Sequence, residues 1–393
     1  MNGPHGGALA ALRLDDPELV EAGDPSGLLR QIASSAAQVR MSLHATEETA
    51  LAVSRPRAIV VAGSGTSASA GDVLAAVCGP QSPIQITVVR GHQLPGWVGA
   101  ADLVFPVSAS GARQETLALA TEAVRRGCEI VGVGPARSPL ADVAAQARGF
   151  FVPVTDGPGR TLLWGLTVPL LVLTSRLGFL RLAPDAFEAT AAALEEVSHQ
   201  CRPSSESFVN PGKSLALDIV GSLPLIWGGS PLAAVAARRF ASMLTLSAKY
   251  PSLSGVFPEV GYDQISILDG PFAPAPTPTF PEAEDFGETL DMPYDDPEDE
   301  RPEPRLVLLA DAAGEHPAVT RMRAAASSIA ADRGLLVSEL VMEGEDPLRR
   351  LATVTQMLDY TSAYLGIACG LDPLASPARD DLRDLAERPE GGA

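Results

Sequence analysis

The sequence predicts an α/β protein with two doubly wound, parallel-sheet subdomains and a C-terminal helix. Short apolar runs alternate along the chain with longer runs at helical spacing, which is typical of parallel sheets covered by helices. Two of the first apolar runs end in turns rich in Ser and Gly, and such turns meet at the carboxyl edge of a doubly wound sheet. With 393 residues, the chain is long enough to bury more than one core.

The alternation divides the chain into five parts. These are an N-terminal segment and helix (1–54), a first subdomain (55–175), a connecting helix and linker (176–212), a second subdomain (213–345), and a C-terminal helix and tail (346–393). In the first part we expect a loose entry over residues 1–26 and one amphipathic helix over 28–52.

The elements follow from the pattern in chain order. In the first subdomain we predict strands at 57–62, 84–89, 102–107, 130–133 and 150–154, and helices ending at 77 and spanning 114–126, 140–147 and 162–173. In the second subdomain and beyond we predict strands at 223–227, 306–309 and 335–341, and helices at 231–246, 319–331 and 348–368. Parallel strands joined by such helices form doubly wound sheets.

An insert at 271–304 differs from the rest of the second subdomain. It is rich in Pro, and between Glu282 and Glu303 it carries eleven acidic residues and one Arg. Such a segment buries too little apolar area to order itself, so we expect a disordered acidic loop.

Composition excludes several classes of function. The net charge of −19, from 29 basic and 48 acidic residues, disfavours nucleic acid and anionic membranes as partners. Neither a signal peptide nor an apolar run of membrane-spanning length is evident, so we expect a cytoplasmic protein. The cysteines lack metal-site spacing and are expected to be reduced core thiols; they are Cys78, Cys128, Cys201 and Cys369.

The turn after the predicted strand at 102–107 is the first candidate site. It reads Ser108-Ala109-Ser110-Gly111 and leads into a helix, where free N–H groups and the positive end of the helix dipole favour an anion. The two hydroxyls could add donors, which predicts a phosphate cradle. An ordinary helix cap is the alternative, because Ser and Gly are favoured at that position.

The turn after the first strand offers a second alternative. Residues 63–68 fit G-x-G-x-x-A, the fingerprint of dinucleotide-binding proteins, and would suit an oxidoreductase with a nucleotide cofactor. The next strand ends at Arg90 and not at an acidic residue that could hold a ribose. The fit is therefore weak.

Both turns resemble those of a known family. Residues 108–116 are similar to S-x-S-G-x-T-x-E-T, the phosphosugar-binding signature of sugar isomerase (SIS) domains, with Arg113 in place of the Thr. Residues 63–72 resemble G-M-G-G-S-A-I-G-G-D, with matches at Gly63, Gly65, Ser67, Ala68, Gly71 and Asp72. Further segments resemble R-x-x-x-L-P-x-W-V, N-P-A-K, D-Y-x-S-x-Y-L and G-x-D-P; they begin at Arg90, Asn210, Asp359 and Gly370. Together they resemble the bifunctional phosphoglucose/phosphomannose isomerase family.

The resemblance implies a phosphorylated hexose as ligand, a homodimer whose partner completes the site, and neither a cofactor nor a metal. It also implies a set of substrate-binding residues: Gly65, Ser67, Ser108, Ser110, Gly111, Arg113, Thr116 and Arg160. Arg160, just before the helix at 162–173, could fork onto a sugar oxyanion, and a solvated arginine at the helix start is the alternative.

Two proton-handling positions of the family are substituted. The family carries its base in N-E-N-A-K, which here reads Thr245-Leu246-Ser247-Ala248-Lys249, so Leu246 stands where the Glu is expected. It carries a ring-opening His in P-E-x-N-H-N-E, and Tyr262 stands at that position. Leucine cannot accept a proton, and tyrosine, with an ordinary pKa near 10, replaces His poorly at neutral pH.

Three functions are compatible with these observations. The first is a phosphosugar-binding protein with weak or no isomerase activity, whose catalytic residues are unknown. The second is an active glucose-6-phosphate/mannose-6-phosphate aldose–ketose isomerase with rebuilt catalytic groups, for which Glu259 or Asp263 could serve as base. The third is the nucleotide-cofactor oxidoreductase.

Overall fold

The computed structural model describes residues 4–49, 55–147, 149–274 and 302–386. The strands within these ranges are β1 Ala58–Ala62, β2 Gln85–Val89, β3 Leu103–Pro106, β4 Glu129–Gly134, β5 Phe150–Pro153, β6 Leu223–Gly228, β7 Leu253–Val256, β8 Pro304–Ala310 and β9 Val337–Val341. The helices are α1 Pro4–Asp15, α2 Pro17–Gly23, α3 Leu28–Ala33, α4 Ser35–Glu47, α5 Thr66–Cys78, α6 Gln114–Arg125, α7 Pro139–Gln146, α8 Leu163–Arg176, α9 Ala186–Gln200, α10 Pro211–Ile219, α11 Pro231–Met243, α12 Pro317–Asp332, α13 Pro347–Ala368 and α14 Pro377–Ala386.

The first sheet confirms the predicted doubly wound subdomain. Its five strands are all parallel, in the order β2-β1-β3-β4-β5. Alternate residues of β1 enter different cores, since Ile59 packs in the cluster that contains α5 and α8 whereas Val60 packs in the one that contains α6. A strand buried on both faces is apolar throughout, which is why the sequence pattern identified it.

The second sheet is also parallel, with four strands in the order β7-β6-β8-β9. Trp227 of β6 packs on the side of α12, and Ile226 packs in the core shared with α11 and α13. Strand β7 was not predicted, because Leu253-Ser254-Gly255-Val256 is a short edge strand with only two apolar residues. Two parallel sheets covered by helices confirm the predicted fold class.

The N-terminal prediction was wrong in two respects. The expected loose entry contains α1 and α2, whose Leu14 and Val20 are buried in the main core. The Asp16-Pro17 pair is the cap signal of α2, because the Asp16 carboxylate accepts the N–H groups of Glu18 and Leu19. The single helix expected over 28–52 is two helices that meet at Ser34, and residues 50–54 lie outside the described part.

Helix α13 lies at the centre of the molecule and agrees with the predicted last helix. It contacts α9, α10, α11 and α1 of the same chain, and eighteen of its residues are buried. Its apolar face is therefore covered without a partner subunit. The predicted homodimer stays a prediction from the family resemblance.

The Asn210–Lys213 motif has a structural role in this fold. Asn210 caps α10 by accepting the N–H of Lys213 at 3.1 Å. The buried Lys213 ammonium donates to the carbonyl oxygens of Leu14, Pro203 and Ser205 at 2.6–2.7 Å, and burial lowers its pKa. This motif ties α1 and the 202–205 linker to the core.

Three further expectations concern the acidic insert, membrane-spanning helices and the cysteines. Most of the acidic insert, residues 275–301, lies outside the described part. Within the described ranges, no helix combines the length and apolar character that crossing a membrane requires. Cys201 is buried and burial raises its pKa to about 12, whereas Cys78, Cys128 and Cys369 are half-buried; all four are free thiols.

Candidate functional site

The candidate site lies where the strand order of the first sheet reverses. Strands β1 and β3 are neighbours, with Ala62 opposite Pro106, and the chain leaves them toward opposite sides of the sheet. Ligands of doubly wound folds bind in the crevice at this point. The two Ser- and Gly-rich turns begin there, and the Ala109 N–H of the second donates to Ser67 Oγ of the first at 3.2 Å.

Glycine at 111 is required for this geometry. Its φ of +65° is a left-handed conformation that side chains disfavour. A Cβ at this position would lie 2.2 Å from the Cβ of Ser138. The turn therefore packs its backbone directly against the start of α7.

The helices that follow these turns begin without a side-chain cap. Gly65 precedes α5 and Arg113 precedes α6, and neither makes a capping hydrogen bond through a side chain. By contrast, Ser138 and Ser230 cap α7 and α11. The alternative, in which Ser108 and Ser110 are ordinary helix caps, is therefore wrong. The N-termini of α5 and α6 stay available to an anion.

The turns form one wall of a cleft of about 690 Å³. Residues 157–160, the end of α11 and the segment around α14 form the rest. The lining residues are Ser64, Gly65, Thr66, Ser67, Ala109, Ser110, Arg113, Gly157, Pro158, Gly159, Arg160, Ser242, Thr245, Leu246, Leu374 and Arg379. A cleft of this size accommodates a small phosphorylated ligand.

The predicted substrate-binding residues divide into two groups. Gly65, Ser67, Ser110, Arg113 and Arg160 line the cleft. Ser108, Gly111 and Thr116 are buried and are not among its lining residues. The Ser108 and Thr116 hydroxyls have no hydrogen-bond partner within the described residues, so both keep an unused donor next to the turn.

Arg160 is held by the protein itself. Its Nη1 donates to the carbonyl oxygens of Leu246 and Pro373 at 3.0 and 2.7 Å, and its Nη2 donates to Leu374 O and Ser376 Oγ, both at 3.1 Å. Burial lowers its pKa to about 10, so it stays charged at neutral pH. The expected free fork onto a sugar oxygen is not seen, because four protein acceptors already occupy the two terminal nitrogens.

Leu246, at the position where the resemblance places a base, lines this cleft. Residues Leu244–Ala248 form a π-helical turn at the end of α11, a rare geometry that is frequent at functional sites. The turn places Leu246 in the cleft lining. Among the described lining residues none is Asp, Glu or His, so this chain presents no proton acceptor of those types there.

The other proposed proton-handling residues lie elsewhere. Tyr262 follows β7 on the second sheet and is 77% exposed, and Glu259 and Asp263 are exposed beside it. None of the three lines the cleft. Within one chain, Glu259 and Asp263 therefore do not replace the missing carboxylate.

Five cleft residues with polar side chains were not predicted from the sequence: Ser64, Thr66, Ser242, Thr245 and Arg379. Ser64 and Thr66 lie at the first turn, and Ser242 and Thr245 come from the end of α11 and its π turn. Arg379 comes from α14, which was assigned to a C-terminal tail. Only the fold brings the C-terminal segment to the first sheet, and no local signal in the sequence indicates it.

A buried ion pair supports the floor of the cleft. Arg239 of α11 donates to the carboxylate of Asp359 in α13 and, at 3.2 Å, to the carbonyl oxygen of Arg160. Both side chains are at least nine-tenths buried. Burial raises the pKa of Asp359, and Arg239 opposes that shift. The pair joins α11, α13 and the Arg160 loop.

Comparisons with known proteins confirm the family resemblance. Residues 208–385 match the family model described as the bacterial phospho-glucose isomerase C-terminal SIS domain. The chain is 28% identical over 214 residues to a bifunctional phosphoglucose/phosphomannose isomerase of Caldicellulosiruptor bescii, a match that spans 54% of the chain and 63% of that relative. It is 24% identical over 287 residues to the protein of that name from Aquifex aeolicus, covering 73% of the chain and 77% of that relative.

The fold has solved counterparts. The crystal structure of tagatose-6-phosphate ketose/aldose isomerase from Escherichia coli superposes with a TM-score of 0.61 at 14% identity, over 91% of this chain and 95% of that one. At this identity the likeness shows the fold alone. The match to the C. bescii protein covers less than two thirds of that relative's length.

Proposed function

We propose that this chain, which resembles the bifunctional phosphoglucose/phosphomannose isomerases in sequence, binds a phosphorylated hexose and catalyses little or no isomerisation. The proposal rests on a contrast between the groups that could bind the phosphate and the residue at the position of the base, all in one cleft. Its phosphate end has hydroxyls, uncapped helix N-termini and an Arg, whereas the position of the base is occupied by Leu246.

The phosphate end is suited to an anion. Ser67 Oγ and Ser110 Oγ each accept a backbone N–H, from Ala109 and Ala112, so their own protons are available to a ligand. Arg113 precedes α6 and adds a full positive charge where the family has Thr. Hydroxyls, helix N-termini and a guanidinium are groups that bind phosphate in proteins.

The reacting end is not suited to isomerisation. Moving a proton between C1 and C2 of an open-chain sugar needs a base within hydrogen-bond reach of the carbon acid. The hydrocarbon side chain of Leu246 cannot take that proton. We therefore expect binding without appreciable turnover.

An active isomerase is the second candidate, and it depends on the predicted homodimer. The exposed turn with Glu259, Tyr262 and Asp263 could supply a base only if a partner subunit carried it to the cleft. The oxidoreductase has no comparable support, because Arg90 at the end of β2 pairs with Asp72 and provides no acidic group for a ribose. A cytoplasmic location stays a prediction.

Replacing Arg113 by Ala should weaken the binding of glucose 6-phosphate by about ten- to a hundredfold, since a charge-assisted contact contributes about 1.5–3 kcal/mol. Titration calorimetry measures the dissociation constant directly. Arg321→Ala is the matched control, because Arg321 is exposed on α12 and does not line the cleft. Equal affinities of the two variants would show that Arg113 does not contact the ligand. If the unmodified protein does not bind glucose 6-phosphate, the proposed function is refuted.

A further inference from the structure

The charge of the cleft is opposite to that of the chain. The protein carries a net charge of −19, yet three arginines line the cleft and no acidic residue is among its described lining side chains. They are Arg113, Arg160 and Arg379. A local concentration of positive charge on an acidic protein indicates a ligand that is itself strongly anionic.

Arg379 lies close to Leu246, the residue at the position where the resemblance places a carboxylate base. Arg160 donates to Leu246 O and, on the same guanidinium, to Leu374 O and Ser376 Oγ, directly before α14. Arg379 is three residues further on, and its positive charge is close enough to contribute to the lowered pKa of Arg160. Arg379 and Leu246 therefore both lie close to the guanidinium of Arg160.

The guanidinium of Arg379 is available to a ligand. It makes no hydrogen bond or ion pair with any side chain in the part of the chain that the structure describes, whereas Arg160 is occupied by four protein acceptors. The nearby carboxylates are engaged elsewhere: Asp372 accepts from Ser26 and the Leu374 N–H, and Asp380 pairs with Arg383. Arg379 thus keeps an unneutralised charge at the cleft.

We propose that the ligand of this cleft carries a second negative group at the end opposite its phosphate, and that Arg379 binds that group. The chemical class is a phosphorylated sugar acid, a hexose phosphate with a carboxylate at C1. A carboxylate at position 246 would repel such a group, and leucine removes that repulsion while Arg379 adds attraction. The inference rests on the proposed function, since Arg113 and the serines must still hold the phosphate.

Two ligands that differ only at C1 test the inference. Calorimetry on the full chain compares 6-phosphogluconate, which has a C1 carboxylate, with sorbitol 6-phosphate, which has a neutral hydroxyl. We expect 6-phosphogluconate to bind at least about tenfold more tightly. Arg379→Gln should reduce this ratio to near one and leave the affinity for sorbitol 6-phosphate almost unchanged. Arg113→Ala should weaken both ligands alike, and Arg321→Gln should change neither.

Other results would overturn the inference in distinguishable ways. Equal affinities of the unmodified protein for the two ligands would refute the second anionic group and leave the proposed phosphosugar binding intact. If Arg379→Gln lowers the affinity for both ligands equally, Arg379 contacts the phosphate, and this also refutes the inference. If neither ligand nor inorganic phosphate binds, both this inference and the proposed function fail. Glucose 1,6-bisphosphate is a further comparison. If it binds more tightly than sorbitol 6-phosphate and 6-phosphogluconate does not, the second group is a phosphate and the sugar acid is refuted.

Discussion

Replacing Asp359 by Ala is expected to lower the free energy of unfolding by about 3–5 kcal/mol, the usual result of removing one partner of a buried ion pair. The Arg239 guanidinium would stay buried between α11 and α13 without its carboxylate partner. Its remaining contact, the carbonyl oxygen of Arg160, bears only a partial charge. Because this pair joins three segments around the cleft floor, the loss should destabilise the whole fold.

Chemical denaturation monitored by circular dichroism measures this effect. Glu188→Ala is a suitable control, because Glu188 also pairs with an arginine, Arg40, but the two side chains are 64% and 38% exposed. We expect little change from that variant, since exposed pairs contribute little. The loss of unfolding free energy for Asp359→Asn should lie between those of the two Ala variants, because asparagine keeps the shape of the side chain and loses its charge. A denaturation midpoint for Asp359→Ala equal to that of the control would contradict the assigned role.

Replacing Gly111 by Ala is expected to abolish most phosphosugar binding while the protein stays folded. Alanine in a left-handed conformation costs about 1–2 kcal/mol, and the added Cβ would collide with Ser138 at 2.2 Å. The turn must then shift, which displaces Ser110 and the start of α6 from the cleft. We expect an affinity loss on the order of a hundredfold or more.

Calorimetry with glucose 6-phosphate tests this prediction, together with a thermal melt to show that the variant is folded. Gly96→Ala is the matched control, because Gly96 has no atom within 4 Å of an added Cβ and lacks a positive φ. It should bind like the unmodified protein. A folded Gly111→Ala variant with unchanged affinity would mean that the turn does not hold the ligand.

Local signals were sufficient to predict the sheets and the two turns. The strands of the first sheet are buried on both faces and read as continuous apolar runs, and Gly65, Ser67 and Ser110 follow them at the carboxyl edge. The same signals failed for β7, a sheet-edge strand whose two apolar residues flank Ser254 and Gly255. They also failed for α1 and α2, although Asp16-Pro17 is a cap signal for the start of α2.

The chemistry of the cleft depends on contacts between distant segments, which the sequence does not reveal. Arg160 donates hydrogen bonds to carbonyl oxygens more than 80 residues away, so its predicted role at the ligand could not be judged from its neighbours in the chain. Arg379 reaches the cleft only because α13 carries the chain back across the molecule. Leu246 is the exception, since its substitution was identified from the motif and the fold places it in the cleft.

A coupled isomerase assay on the purified full chain, paired with calorimetry on the same preparation, tests the central claim most directly. Glucose 6-phosphate, fructose 6-phosphate and mannose 6-phosphate are the substrates to compare. We predict measurable binding together with no turnover above the uncatalysed rate, because Leu246 stands at the position of the base. Turnover at ordinary enzyme rates, about 1–1,000 per second, would contradict the account and make Glu259 and Asp263 the first residues to replace.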